Sequence, residues 1–190
     1  MQQRHPHPLT LATDLDGTLI PFPQIEQNAV DLQKLKQSLL ENDVPLVFAT
    51  GRHLRSILSA LETFALPTPN WIIADVGTSI YEFNAQGWEL IEDYAKHLES
   101  SIGCMTLTEI QRQFEKFDDL TLQAPEKQGR FKLSYYCPRE TFHQVAKRLQ
   151  AELDASHAPF AITHSLDPFT THGLIDVLPR EASKGAALSW

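Results

Sequence analysis

Cysteine is scarce in this chain. Cys104 and Cys137 stand alone, with no C-x-x-C spacing, which argues against a disulfide framework or a thiolate metal centre and leaves two reduced thiols packed partly in the interior. Long hydrophobic runs are missing too. Stretches such as Leu46–Ala49 and Trp71–Ala74 fall far short of the roughly 20 apolar residues that span a bilayer. The opening residues Met1–Pro8 carry no apolar signal-peptide core, so a cytoplasmic protein is the expectation. Basic residues are outnumbered, 16 Lys and Arg against 24 Asp and Glu, for a net charge of -8. That balance argues against nucleic acid and anionic membrane as partners. It leaves open a small anionic substrate, because a pocket can be positive on an acidic protein. No internal repeat or low-complexity tract is present. With 190 residues, 42% of them hydrophobic, the chain can bury one ordinary core, or a compact core with a smaller inserted unit.

The apolar residues fall into a readable order. Residues 9–13 read as a buried strand. Ile25, Ala29, Leu32, Leu35, Leu39 and Leu40 recur at helical spacing over 24–41, and Asn42-Asp43 ends that helix. Pro45–Thr50 is the next strand, Leu54, Ile57, Leu58, Leu61 and Phe64 mark a second helix, and Trp71–Ala74 is a third strand without alternation. Such strands, alternating with helices, predict a parallel sheet covered on both faces. After Gly77 the texture changes. Ser79–Phe83 and Trp88–Ile91 read as a hairpin around Asn84–Gly87. A helix around Leu107–Phe117, a strand over Arg130–Tyr136, a helix over Phe142–Leu153 and strands over Pro159–His164 and Leu174–Leu178 follow. This second part predicts an antiparallel α/β unit inserted into the first.

Chemistry concentrates in Asp14-Leu15-Asp16-Gly17-Thr18, directly behind the first strand. The first carboxylate can attack an electrophile and the second can move a proton; together they can hold a divalent cation. The spelling alone also fits a surface turn. Its place behind a hydrophobic strand favours the sheet edge where open α/β folds bind ligands. Thr50-Gly51-Arg52 ends the second strand, so its hydroxyl, its backbone N–H groups and the helix that follows face the same edge. Ser183-Lys184-Gly185 opens a last helix, with Ser183 as N-cap. A solvated lysine is the commoner fate of such a residue. A cation at a helix N-terminus is unfavourable, however, and implies an anion close by.

These motifs in this order, D-L-D-G-T-L, A-T-G-R and S-K-G, resemble the haloacid dehalogenase superfamily of phosphohydrolases. Asp75–Tyr81, Lys132–Tyr135 and Ile175–Pro179 are similar to its sucrose-phosphate phosphatase branch. The resemblance implies a doubly wound, Rossmann-like parallel α/β core over residues 1–84 and 179–190, with an inserted α/β cap of class IIB type over 85–178. It implies Asp14 as nucleophile, Asp16 as general acid and base, Thr50, Gly51 and Lys184 as phosphate binders, and Mg²⁺ held at Asp14 and Asp16. The expected substrate is a sugar phosphate, hydrolysed through an aspartyl phosphate. Lys132, Ser134, His164 and Asp176 are candidate cap contacts to sugar hydroxyls, and Arg52 and His53 candidate rim contacts. For each of these a solvated or locally bonded side chain is the competing reading. His164 and His172, eight residues apart in an expected loop over 164–172, do not make a metal site without a third ligand.

The family also carries a G-D-x-x-N-D motif downstream of its lysine, and this sequence has none after Lys184. The expectation is therefore an incomplete core with impaired activity, whose first strand lies at an exposed edge open to self-association. Two other functions stay in view: a phosphatase for another glycosyl or hexose phosphate, and a non-catalytic sugar-phosphate-binding or interaction module.

Overall fold

The computed structural model describes residues 9–22, 24–167 and 171–190. The opening residues Met1–Pro8 lie outside this description. Two sheets make up the fold. The first has five strands in the order β1-β2-β3-β4-β5: β1 Leu11–Thr13, β2 Leu46–Ala49, β3 Trp71–Ala74, β4 Ser79–Asn84 and β5 Gly87–Leu90. The first three are parallel, and β4 and β5 are antiparallel to their neighbours. The parallel strands lack alternation because both faces are covered. Leu46, Phe48, Ile72 and Ala74 join a cluster with Leu32 of α1 (Glu26–Glu41) and Ile57 and Ala60 of α2 (Leu54–Thr63). Val47 and Ile73 point the other way, into a cluster with Tyr94, Ala95 and Leu98 of α3 (Glu92–Ile102) and Ala187 of α6 (Lys184–Ser189).

The second sheet is antiparallel, in the order β6-β7-β9-β8, with β6 Thr121–Leu122, β7 Leu133–Pro138, β8 Phe160–Leu166 and β9 His172–Pro179. One face packs on α4 (Leu107–Phe114) and α5 (Phe142–Ala155) through Ile110, Phe114, Val145, Leu149 and Leu153 against Leu133, Tyr135, Ile175 and Val177. The alternation of β7 and β9 therefore leaves Ser134 and Asp176 on the opposite face, where they are paired in register, with Thr163 beside Asp176. Among the described residues, no helix is long and apolar enough to cross a membrane.

Four expectations change in detail. The first strand covers Leu11–Thr13 rather than residues 9–13, at the edge of the described sheet, and Leu9 before it is 69% exposed. The expected core boundary between residues 84 and 85 falls inside the β4–β5 hairpin, which pairs Asn84 with Gly87, and α3 packs on the first sheet as well. The strand expected over Arg130–Tyr136 starts at Leu133, because Gly129 and Lys132 close a small turn first. Phe131 is thereby turned into the α3 cluster while Leu133 and Tyr135 face α5. The loop expected over 164–172 is shorter, since β8 runs to Leu166 and β9 starts at His172; its residues 168–170 lie outside the described ones.

Candidate active site

The parallel pairing of β1 and β2 matches Thr13 with Phe48. Asp14 and Thr50, one and two residues beyond those partners, therefore leave the sheet at the same edge. Behind Asp14 the chain turns at once. Gly17 has φ of 69°, a left-handed conformation that glycine adopts without steric cost, and the turn buries Leu15 and Leu19 beneath it. Asp14 Oδ1 accepts a hydrogen bond from the Leu15 N–H at 2.7 Å. Its Oδ2 accepts one from Lys184 Nζ at 2.5 Å. The anion implied by a lysine at a helix N-terminus is thus the Asp14 carboxylate. Ser183 caps that helix as expected, its Oγ accepting from the Ala186 N–H at 2.9 Å.

Thr50 is buried, and its Oγ1 accepts from the Arg52 N–H at 3.3 Å. Arg52 reaches back across the edge and grips Asp16 with two parallel bonds, Nε to Oδ2 at 2.8 Å and Nη2 to Oδ1 at 2.7 Å. This bidentate pairing, the strong form of a guanidinium–carboxylate contact, raises the Arg52 pKa further. The Asp14, Asp16, Thr50, Arg52 and Lys184 segments thus share one sheet edge, and two ion pairs link four of these residues.

The remaining candidates divide between two faces of the second sheet. Ser134 Oγ donates to Asp176 Oδ1 at 2.5 Å. Burial pushes the Asp176 carboxyl above the ordinary carboxylate range, against the lowering effects of Ser134 and Lys132. Lys132 is buried, lies 2.8 Å from Asp75 Oδ1 and donates to the Gly51 carbonyl at 3.5 Å. These three candidates come together beside the threonine turn. His164 does not join them. It pairs in register with Ile175, on the helix-covered face, where its Nε2 lies 2.9 Å from His143 Nδ1 of α5. Burial, then His143, lowers the His164 pKa. His53 bonds locally while also lining the cavity beside Arg55 and Asp75. Its Nδ1 accepts the Ser56 N–H at 3.3 Å and caps α2, and burial is the main cause that lowers its pKa.

Two residues at the site, Asp75 and Thr163, were not among the sequence's candidate site residues, although Asp75 opens a segment that carries the family resemblance. Asp75 follows β3 at the same edge as Asp14 and Thr50, a position that marks it. Thr163 shares a face with Ser134 and Asp176, which only the strand register reveals. Among the described residues, no group of three or more His, Cys, Asp or Glu side chains is placed to hold a metal. The Asp14 carboxylate and the Asp16 backbone carbonyl offer hard oxygens, the donors Mg²⁺ prefers when water and substrate phosphate complete its shell.

Comparison with known proteins places this arrangement in a family. Residues 7–190 match the family model of sucrose-6F-phosphate phosphohydrolase. A protein of Nitrosococcus oceani described as a HAD-like hydrolase is 34% identical over 182 residues, which cover 93% of this chain and 48% of that one. The mannosylfructose-phosphate phosphatase of Agrobacterium fabrum is 28% identical over 181 residues, covering 95% of this chain and 67% of the relative. Most of the other curated relatives are spanned over somewhat less than half of their length. The sucrose-phosphatase of Synechocystis sp. PCC6803, solved with sucrose and phosphate, superposes with a TM-score of 0.78 at 25% identity, over 96% of this chain and 68% of that one. With the family model matched from residue 7 to residue 190, the chain belongs to the sucrose-6F-phosphate phosphohydrolase family.

Proposed function

We propose that the chain carries the nucleophile, the phosphate-binding groups and the substrate-selecting layer of a phosphatase that hydrolyses a sugar phosphate of the sucrose-phosphate type. The observation that carries this is the meeting of Asp14 and Lys184, 2.5 Å apart across 170 positions of sequence. A lysine over a carboxylate is a place where an incoming phosphoryl group exchanges one partner for another: its oxygens take the lysine, and its phosphorus faces the freed carboxylate.

In the proposed reaction, an Asp14 oxygen attacks phosphorus in line with the sugar oxygen. The P–O bond to the sugar breaks as the Asp14–phosphate bond forms, and Asp16 gives a proton to the departing oxygen. Asp16 then accepts a proton from the water that attacks the aspartyl phosphate, releasing inorganic phosphate and restoring Asp14. Thr50, the Gly51 backbone and Lys184 hold the phosphoryl oxygens throughout, which is where most of the stabilisation in phosphoryl transfer arises. Asp14 and Asp16 would hold Mg²⁺, which when bound neutralises charge between an anionic nucleophile and an anionic substrate. Ser134 and Asp176, with Lys132, form the wall toward the leaving group, and the layer built on β6–β9 serves as the cap.

A second substrate is favoured by a particular relative, the mannosylfructose-phosphate phosphatase. One experiment separates the readings. Release of inorganic phosphate is measured from sucrose-6F-phosphate, mannosylfructose-phosphate and simple hexose phosphates, with Mg²⁺ or with EDTA. Slow, Mg²⁺-dependent release, fastest from sucrose-6F-phosphate, is the result expected of a core that lacks the G-D-x-x-N-D motif. A preference for the mannosyl ester moves the assignment to that substrate. Binding of sugar phosphate without any hydrolysis would make the chain a binding module.

A further inference from the structure

We propose that Asp75 is a positioning residue for leaving-group selection: it fixes the buried Lys132 over the threonine turn and so sets the wall that a sugar meets. The proposal rests on the phosphatase reading of the site and deepens it.

Asp75 begins a run of three left-handed residues, with φ of 51° at Asp75, 62° at Val76 and 99° at Gly77. Such values are costly for a β-branched side chain, and a strained run persists where its surroundings over-determine it. Here they do. The Asp75 N–H donates to the Arg52 carbonyl at 2.9 Å, and the Val76 N–H to the Thr50 carbonyl at 3.1 Å. The Thr78 hydroxyl donates to the Asp75 carbonyl at 2.9 Å, and the Tyr94 hydroxyl to the Gly77 carbonyl at 2.6 Å. The run is therefore bolted to the loop that carries Thr50 and Arg52.

The strain aims the Asp75 carboxylate at the second layer. Its side chain is 9% exposed and lies 2.8 Å from Lys132 Nζ, itself 5% exposed. No aligned hydrogen bond reaches Oδ1, so the contact is one of charge. It bridges the two sheets at Gly51, whose carbonyl takes the same ammonium at 3.5 Å. A buried ion pair is poor value as a stabiliser, since apolar replacements often do as well. A pair that ties a mobile lysine beside the phosphate loop has a use that packing alone would lack. Beside it lies a cavity of about 310 Å³ lined by His53, Arg55, Asp75, Tyr81 and Gln128 among others. Without Asp75, the flexible stem of Lys132 is free to turn toward that space and leave the Ser134–Asp176 wall.

Calorimetric titration of this chain in EDTA, with inorganic phosphate and with sucrose-6F-phosphate, tests the idea. Asp75→Asn and Lys132→Met should each weaken the sugar ester about tenfold or more, as loss of a charged contact does, while phosphate affinity stays within about twofold of wild type. The double variant Asp75→Asn/Lys132→Met removes both members of the pair, so it serves where a single variant, left with a lone buried charge, does not fold. It should lose no more than either single change. Equal loss for both ligands, unchanged sugar affinity or additive losses overturn the proposal. So does a wild-type chain that binds the ester no more tightly than phosphate, because there is then no leaving-group contact to position. A wild-type chain that binds neither ligand brings down the phosphatase reading itself.

Discussion

At the scale of single residues, the site is held together by ion pairs that contribute little to stability. Lys184 and Asp14 are more than a third exposed, and such pairs contribute about 1 kcal/mol or less. Their value is in placing groups. Asp16→Asn breaks the bidentate Arg52 contact and should cost about 1–2 kcal/mol of stability, yet lower kcat by about a hundredfold to ten-thousandfold, the usual reach of general acid–base catalysis. Steady-state phosphate release measures this, and an Asn variant as fast as wild type would remove Asp16 from the chemistry. The histidines give a prediction of a different kind. Burial lowers the pKa of both His53 and His164. The unfolded chain therefore binds more protons than the folded one between those lowered values and the ordinary imidazole value near 6.5, and stability rises with pH across that window. Melting curves should show stability falling as pH drops from 7.5 to 5.5. His53→Asn, which keeps a capping side chain, should flatten the fall.

At the scale of elements, the turn after β3 is the piece on which others are hung. Gly77 has φ of 99°, and a Cβ there would meet the Ser183 carbonyl carbon at 2.2 Å. Gly77→Ala must displace the start of α6 or distort the turn, at a cost on the order of 2 kcal/mol or more. Differential scanning calorimetry checks the loss. Because α6 carries Lys184, the same variant should also bind inorganic phosphate more weakly. Much at this scale was legible in the sequence. Asp14 and Thr50 each follow a parallel strand, so chain order brought them to the same edge, while Lys184 was assigned to the site through the family resemblance. The Ser183 cap was legible because it opens the last helix. Helix α3 was missed, although Tyr94, Ala95, Leu98 and Ile102 recur at helical spacing, because it follows the hairpin directly with no turn signal between. The local bonds of Arg52 to Asp16 and of His53 to its own helix left no mark in spacing, although both residues were named as rim candidates.

At the scale of the whole molecule, two layers with their own cores meet along a narrow seam. The α4–α5 cluster is continuous within the second layer, with Leu149 fully buried, while Phe131 and Leu178 extend the first layer's cluster across the seam. Leu149→Ala should cost about 2–5 kcal/mol. Hydrogen exchange should show the loss concentrated in β7–β9, with β2 and β3 better protected; uniform loss would mean that the layers unfold as one unit. The α/β class and the antiparallel second unit followed from the order of apolar runs. The face taken by His164 did not, since a shift of one residue in register moves every side chain of a strand to the other side, and register is set by pairing partners far along the chain.

The division of labour across the four-stranded sheet has a practical consequence. Positions 134, 163 and 176 lie on the face away from α4 and α5, and 133, 135, 175 and 177 hold the core. If the proposed wall selects the leaving group, a mutant library at Ser134, Thr163 and Asp176 would vary the sugar accepted without touching the α4–α5 core, and Ser134 and Asp176, which are bonded to each other, would have to be changed together.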